Sequence, residues 1–291
     1  MCDDFTLSAE DAALAAKGLS RRQFTALGAA AAIAACSGGD GEAKPSIALT
    51  EGTVQVTTPD GSADAFFVRP EQGVHPGVVL WPDIAGLRDA FKVLARRLAS
   101  SGYAVLAVNP YYRSAPAPLL ASFAEWRTPA GQAKMAPAIA QITPEATTRD
   151  GAAFVAFLDT QPAVDKHRGI GTQGYCMGGP FTLRTAAATP ARVKAAASFH
   201  GANLVTDQPD SPHLLIARTQ ASLLFAIARG DDARAPTDKE VLRSAAAAAG
   251  RPAEIEVYPA DHGWCVPDTP VYDKAQADRA WKRLLALYSR L

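Results

Sequence analysis

The sequence predicts an α/β fold in one domain, a mostly parallel sheet covered by helices on both faces, with an antiparallel hairpin at its start. Three observations predict it. Short, largely apolar runs recur along the chain, as strands buried on both faces require. These runs alternate with helix-patterned segments, the sign of crossover connections between parallel strands. A chain of 291 residues, 48% of them hydrophobic, can bury one large core without a second domain.

The elements follow in order. Thr53 to Thr58 alternates as a half-buried strand, Asp60-Gly61 is a hairpin turn signal, and Ala65 to Arg69 returns. Gly77 to Leu80 begins the buried strands, and a helix covers roughly Ala90 to Ser101. Tyr103 to Val108 is the next strand. Ser114 to Ala140 is rich in proline and poor in periodicity; it is a cap over the strand ends or a long surface loop. A helix beginning near Pro144 carries Gly151 to Leu158, then Arg168 to Gln173 is a strand and Phe181 to Ala188 helical. Lys194 to Phe199, Leu223 to Ala228 and Glu254 to Tyr258 complete the strands. Helices cover Thr237 to Ala249 and Tyr272 to Leu291.

This body, residues 51–291, follows a different kind of segment. Ser20-Arg21-Arg22-Gln23-Phe24 is a twin-arginine pattern, and the apolar run from Leu27 to Ala35 follows it. That run is about half a bilayer-spanning length, so residues 1–36 read as an export signal rather than a membrane helix. Ile33-Ala34-Ala35-Cys36 resembles a lipobox, which makes Cys36 a candidate for lipidation. The protein is then periplasmic, free or lipid-anchored; if the leader is not used, it is cytoplasmic. Residues 37–50 read as a flexible tether.

Composition excludes other classes. Lys plus Arg and Asp plus Glu both number 29, so no net field draws nucleic acid, and only Cys36 offers a route to a membrane. The four cysteines form no C-x-x-C pair, and no cluster has zinc spacing. No metal or organic cofactor is implied. The partner is a small molecule, and a monomer is the favoured state.

Chemistry concentrates at Gly174-Tyr175-Cys176-Met177-Gly178, which has the G-x-nucleophile-x-G form between a strand and a helix. Such a turn strains its central residue, and flanking glycines remove side chains that would clash. The following helix points its N-terminus at Cys176, which favours a thiolate. Gly169-x-Gly171-x-x-Gly174 also spells a dinucleotide motif, but its glycines fall inside the strand and Lys194 stands where an acid is required.

A thiol nucleophile needs a base, and the base needs an orienting acid. Of five histidines, His262 follows the last strand, where a base belongs in the order nucleophile, acid, histidine. His200 ends a strand and reads as a structural or substrate-contacting group. Asp231 and Asp232 both follow the strand ending at Ala228, and either could orient His262.

Four blocks resemble the dienelactone hydrolase family of α/β-hydrolases: Pro82 to Leu87, Asn109 to Arg113, Gly174 to Gly179, and Gly230-Asp231-Asp232 with His262-Gly263-Trp264. The resemblance implies an ester or lactone hydrolase with the α/β-hydrolase fold, in which Cys176 attacks the carbonyl and a thioester forms. It implies His262 as base, Asp232 as its acid, and the backbone N–H groups of Ile84 and Met177 as the oxyanion hole. Asp83 stands where the family has a glutamate that activates the thiol. Arg113 matches an arginine that grips the substrate carboxylate, but Val266 occupies the place of its partner arginine. That loss argues against dienelactone itself and towards a less anionic ester, with Trp264, and Trp81 beside it, adding apolar surface to the pocket. Cys265 lies close enough in sequence to His262 to approach Cys176 and pair with it. The competing functions are a non-catalytic binding protein on this fold and an acyltransferase or peptidase.

Overall fold

In a computed structural model, residues 4–20, 23–24 and 47–291 are described. The twin-arginine pair, the apolar run, Cys36 and most of the tether lie outside them. The body is an eight-stranded sheet in the order β1-β2-β4-β3-β5-β6-β7-β8. The strands are β1 (Leu49–Thr58), β2 (Gly61–Pro70), β3 (Gly77–Trp81), β4 (Ala104–Val108), β5 (Ile170–Tyr175), β6 (Val193–Phe199), β7 (Ser222–Ala228) and β8 (Ala253–Tyr258). The hairpin β1–β2 joins β4 antiparallel, and every pairing from β4 to β8 is parallel. This is the α/β-hydrolase architecture, with the antiparallel start that the sequence predicts.

The apolar runs form strands because both faces are buried. Within β4, Val105 and Ala107 face one core and Ala104, Leu106 and Val108 face the other, the two-residue period of a strand applied to a wholly apolar run. One face is covered by α2 (Asp89–Ala99) and α9 (Lys274–Tyr288), the other chiefly by α5 (Pro144–Thr160), α6 (Gly179–Ala188) and α8 (Asp238–Ala248). In α2, Phe91, Leu94, Ala95 and Leu98 are buried at helical spacing. A short helix, α7 (Arg229–Arg234), follows β7 directly, where a loop is expected.

The proline-rich stretch is a cap with structure of its own. It holds α3 (Phe123–Trp126) and α4 (Pro129–Ile139). Pro129 opens α4 behind Thr128, whose hydroxyl accepts from the Gly131 N–H at 3.0 Å. Phe123, Trp126, Leu120 and Met135 bury against Tyr111 and Ile84, so this small core sits on the loop that follows β3.

Part of the segment expected as leader, residues 1–36, lies among the described residues. Helix α1 (Asp4–Ala16) rests on the body, with Leu14 buried. Glu10 and Asp11 pair with Arg127 next to α3, and the Lys17 ammonium donates to the Pro270 carbonyl. Adjacent acids on α1 meet an arginine at the end of α3, a long-range pairing that composition alone did not signal.

Candidate active site

Asp83, Cys176, His200, Asp231 and His262 all stand just beyond the ends of parallel strands. Register pairs Trp81 with Gly174, Tyr175 with Phe199, and Ala228 with Tyr258. The loops after β3, β5, β6, β7 and β8 therefore open side by side, the place where open α/β sheets bind ligands.

Cys176 follows β5 and has φ 51°, a left-handed conformation that a residue with a side chain rarely adopts. The glycines around it explain how the turn is tolerated. A Cβ on Gly174 would collide with the carbonyl oxygen of Gly178, and one on Gly178 would lie 2.5 Å from the Pro82 oxygen. The chain turns directly into α6, so the Met177 N–H lies in the first turn after the nucleophile. Across from it, the Tyr111 hydroxyl donates to the Ile84 carbonyl at 2.8 Å, and the Ala85 N–H donates to Asp83 Oδ1 at 2.9 Å. These bonds fix the loop carrying Ile84, and Ile84 and Met177 border the same cavity.

His262 is buried, and its Nδ1 lies 2.7 Å from Asp231 Oδ2. That leaves Nε2 as the nitrogen able to serve the Cys176 sulfur. Burial works against an imidazolium here, but the sulfur and the Asp231 carboxylate outweigh it and hold the His262 pKa up at about 10. Asp232, the acid implied by the resemblance, is turned away. It takes both of its bonds from the Lys239 ammonium, at 2.7 and 2.9 Å. Because α7 begins at Arg229, adjacent aspartates diverge by a helical step of about 100°, and only Asp231 faces the histidine.

His200, read as structural or substrate-contacting, is closer to the chemistry than that. It ends β6 with φ 39°, is buried, and stands edge-on to His262 with ring centres 4.8 Å apart. Burial pushes its pKa below the usual imidazole value, while the Cys176 sulfur, through hydrogen bonding and charge, pulls the other way. A strand-end histidine beside the elbow strand was the signal available. No local pattern determines where its ring points.

Three other expectations meet different geometry. Asp83 is buried but engaged: Arg88 Nη1 and Nη2 donate to its two oxygens at 2.7 and 2.9 Å. Arg88 also donates to the Gly86 carbonyl and twice to Asp268, which accepts in addition from the Phe123 N–H at 2.9 Å. Asp83 therefore reaches Cys176 through its charge rather than as a free carboxylate on the thiol. Burial raises its pKa to about 6, opposed by Arg88. Arg113 grips no pocket. It is held by Asp60 and Asp150 beneath the hairpin turn. Trp264, like Trp81, is wholly buried; it stacks on Tyr258 and meets the edge of His200 at 5.2 Å, a support behind the site rather than a wall of it.

Cys176 and Cys265 are free thiols. Cys265 packs with Tyr175 and Phe199 on the α2–α9 face, and burial drives its pKa up, so it is a core residue. No group of side chains able to hold a metal occurs among the described residues.

A cysteine elbow, a histidine–carboxylate pair and a parallel sheet ending beneath a cap define an α/β-hydrolase. The chain belongs to the dienelactone hydrolase family, whose model matches residues 63–291. It is 29% identical to a protein of Methylorubrum extorquens provisionally named carboxymethylenebutenolidase, over 81% of this chain and 79% of that one. It is 28% identical to a protein of the same provisional name from Salmonella typhi, over 84% and 89%. A crystal structure from Klebsiella pneumoniae, provisionally named dienelactone hydrolase, superposes with TM-score 0.71 at 24% identity, covering 84% of this chain and all of that one, which is a likeness of fold. The protein is a hydrolase of this type.

Proposed function

We propose that the protein cleaves a carboxylic ester or lactone by acyl transfer through Cys176, with His262 as base and Asp231 orienting it. The observation that carries this is the Nδ1–Asp231 bond of 2.7 Å on a histidine whose pKa the Cys176 sulfur itself raises. The sulfur and imidazole then rest as thiolate and imidazolium. The thiolate attacks the carbonyl carbon, a C–S bond forms, and the oxygen gains charge between the Ile84 and Met177 N–H groups. The C–O bond breaks as the leaving oxygen takes the His262 proton. Water then attacks the thioester, giving its proton to His262, and the C–S bond breaks to restore the thiolate. His200, neutral and buried, is suited to donate an N–H to the sulfur.

The test is turnover of a short 4-nitrophenyl ester under reducing conditions by wild type, Cys176→Ala and Cys176→Ser. Loss in Cys176→Ala, with a mass increase of one acyl group on wild type caught by acid quench, supports the reading. Equal turnover in all three sinks it.

The twin-arginine pattern and Cys36 support export as a further part of this reading. Fractionation of cells expressing the full chain and its Arg21→Lys/Arg22→Lys and Cys36→Ser forms tests it. Retention in the cytoplasm by the first, and loss of membrane association by the second, are the expected results.

A further inference from the structure

A cavity of about 390 Å³ runs from Ile84 and Met177 along α6 to Arg184. Its near walls are apolar, formed by Ile139, Ile142, Pro180 and Phe181. Its far end is not. Arg184 is buried there, and its nearest carboxylate among the described residues is Asp210, at 3.6 Å and with 43% of its side chain exposed. That distance is beyond an ordinary N–H···O bond. The other arginines buried this deeply are treated differently. Arg88, Arg113 and Arg127 are each held by two carboxylates at hydrogen-bond distance. A guanidinium does not shed its charge when buried, so an under-paired one facing a cavity is an anion site. Burial lowers the Arg184 pKa, and the charges of Asp210 and Glu145 offset this only in part.

We infer that Arg184 reads an anionic group at the far end of the substrate, so that the ester opened at Cys176 carries a linear acyl arm ending in a carboxylate. This rests on the hydrolase reading above. Two arguments give the arm its direction and length. Met177, next to the nucleophile, lines the cavity and His262 does not, so the acyl arm is assigned to the cavity and the leaving oxygen to the histidine side. From Gly179 to Arg184 the helix rises roughly 8 Å, so the carboxylate sits well away from the carbonyl. The compact carboxylate clamp implied by the resemblance is absent, since Arg113 is bound elsewhere and Val266 is apolar and buried. The anion is recognised from a different element and at longer range, which replaces the expectation of a less anionic substrate.

Mono-4-nitrophenyl suberate and its methyl-capped counterpart differ only in the terminal charge, and their kcat/KM ratio isolates it. Wild type should favour the free acid about 10- to 100-fold, as one charge-assisted pair provides. Arg184→Met should abolish that preference and Arg184→Lys keep part of it. Asp210→Asn, which removes the competing carboxylate, should strengthen it several-fold. Suberate alone is titrated calorimetrically against the same proteins. If wild type prefers the capped ester, if Arg184→Met lowers both esters equally, or if suberate binds wild type and Arg184→Met alike or not at all, the inference is wrong. If neither ester turns over while suberate binding depends on Arg184, the hydrolase reading fails and the anion site stands.

Discussion

The imidazole of His200 stands edge-on to that of His262, their centres 4.8 Å apart, with Trp264 backing His200 at 5.2 Å. Two imidazoles this close cannot both carry a proton cheaply. Burial pushes the His200 pKa down, while the Cys176 sulfur and Asp231 push that of His262 up.

From that division, His200→Phe should keep the packing against Trp264 but remove a donor to sulfur. Alkylation of Cys176 by iodoacetamide at neutral pH should slow about 10- to 100-fold, the worth of a hydrogen bond to a charged group. His200→Asn, which restores an N–H, should recover part of the rate. Unchanged rates in both variants would leave His200 as packing only.

Asp231 and Asp232 make the sharpest contrast between neighbours. Asp231→Asn should lower kcat/KM on the order of 10³- to 10⁴-fold, because the histidine loses both orientation and charge support. Asp232→Asn breaks only a partly exposed pair with Lys239 and should cost under about 1 kcal/mol of stability. Unfolding in urea and turnover of the same preparations separate the two effects.

The pH dependence follows from the raised His262 pKa. A folded value of about 10 against an ordinary 6.5 means that the charged histidine contributes fully below about 6.5. That contribution is lost as pH rises through about 10. Alkylation and kcat/KM should therefore fall on an alkaline limb near 10. In Asp231→Asn the limb should move to lower pH, since one support of the imidazolium is gone. A limb that stays in place would detach Asp231 from the titration.

Arg88 lies between Asp83 and Asp268 with no exposed side-chain surface. Arg88→Met leaves two buried carboxylates without their cation and should destabilise the fold by about 3–5 kcal/mol. The melting temperature, followed by circular dichroism, should drop by on the order of 10 °C.

Arg113 provides the opposite case. Arg113→Ala frees Asp150, which is buried, and should cost about 1–3 kcal/mol of stability. KM for a 4-nitrophenyl ester should not move, because the guanidinium lies beneath the hairpin turn and not on the cavity. A raised KM with unaltered melting would return Arg113 to the substrate.

The sheet was legible in the sequence because its strands are apolar on both faces, as in β4, and their order along the chain matches their alternation with helices. The elbow was legible because glycine at 174 and 178 has a steric reason visible in the motif itself. The base was legible from its place after β8. The choice between Asp231 and Asp232 was not, since it turns on α7 starting at Arg229, a one-residue question of helical phase. The fate of Arg113 and Asp83 was not either. Both depend on long-range partners, Asp60 and Asp150 for one and Arg88 for the other, and no local pattern announces such pairs. Arg184 lies in a helix buried nearly all round, and nothing in the local pattern signals that its side chain reaches a cavity.

Asp268 joins two parts of the molecule that the chain separates widely. It belongs to the segment just beyond His262, yet it accepts from the Phe123 N–H at the start of α3 and bonds Arg88 below. The short cap is therefore moored to the histidine's own loop. One carboxylate thereby couples the position of the cap to that of the loop carrying the base.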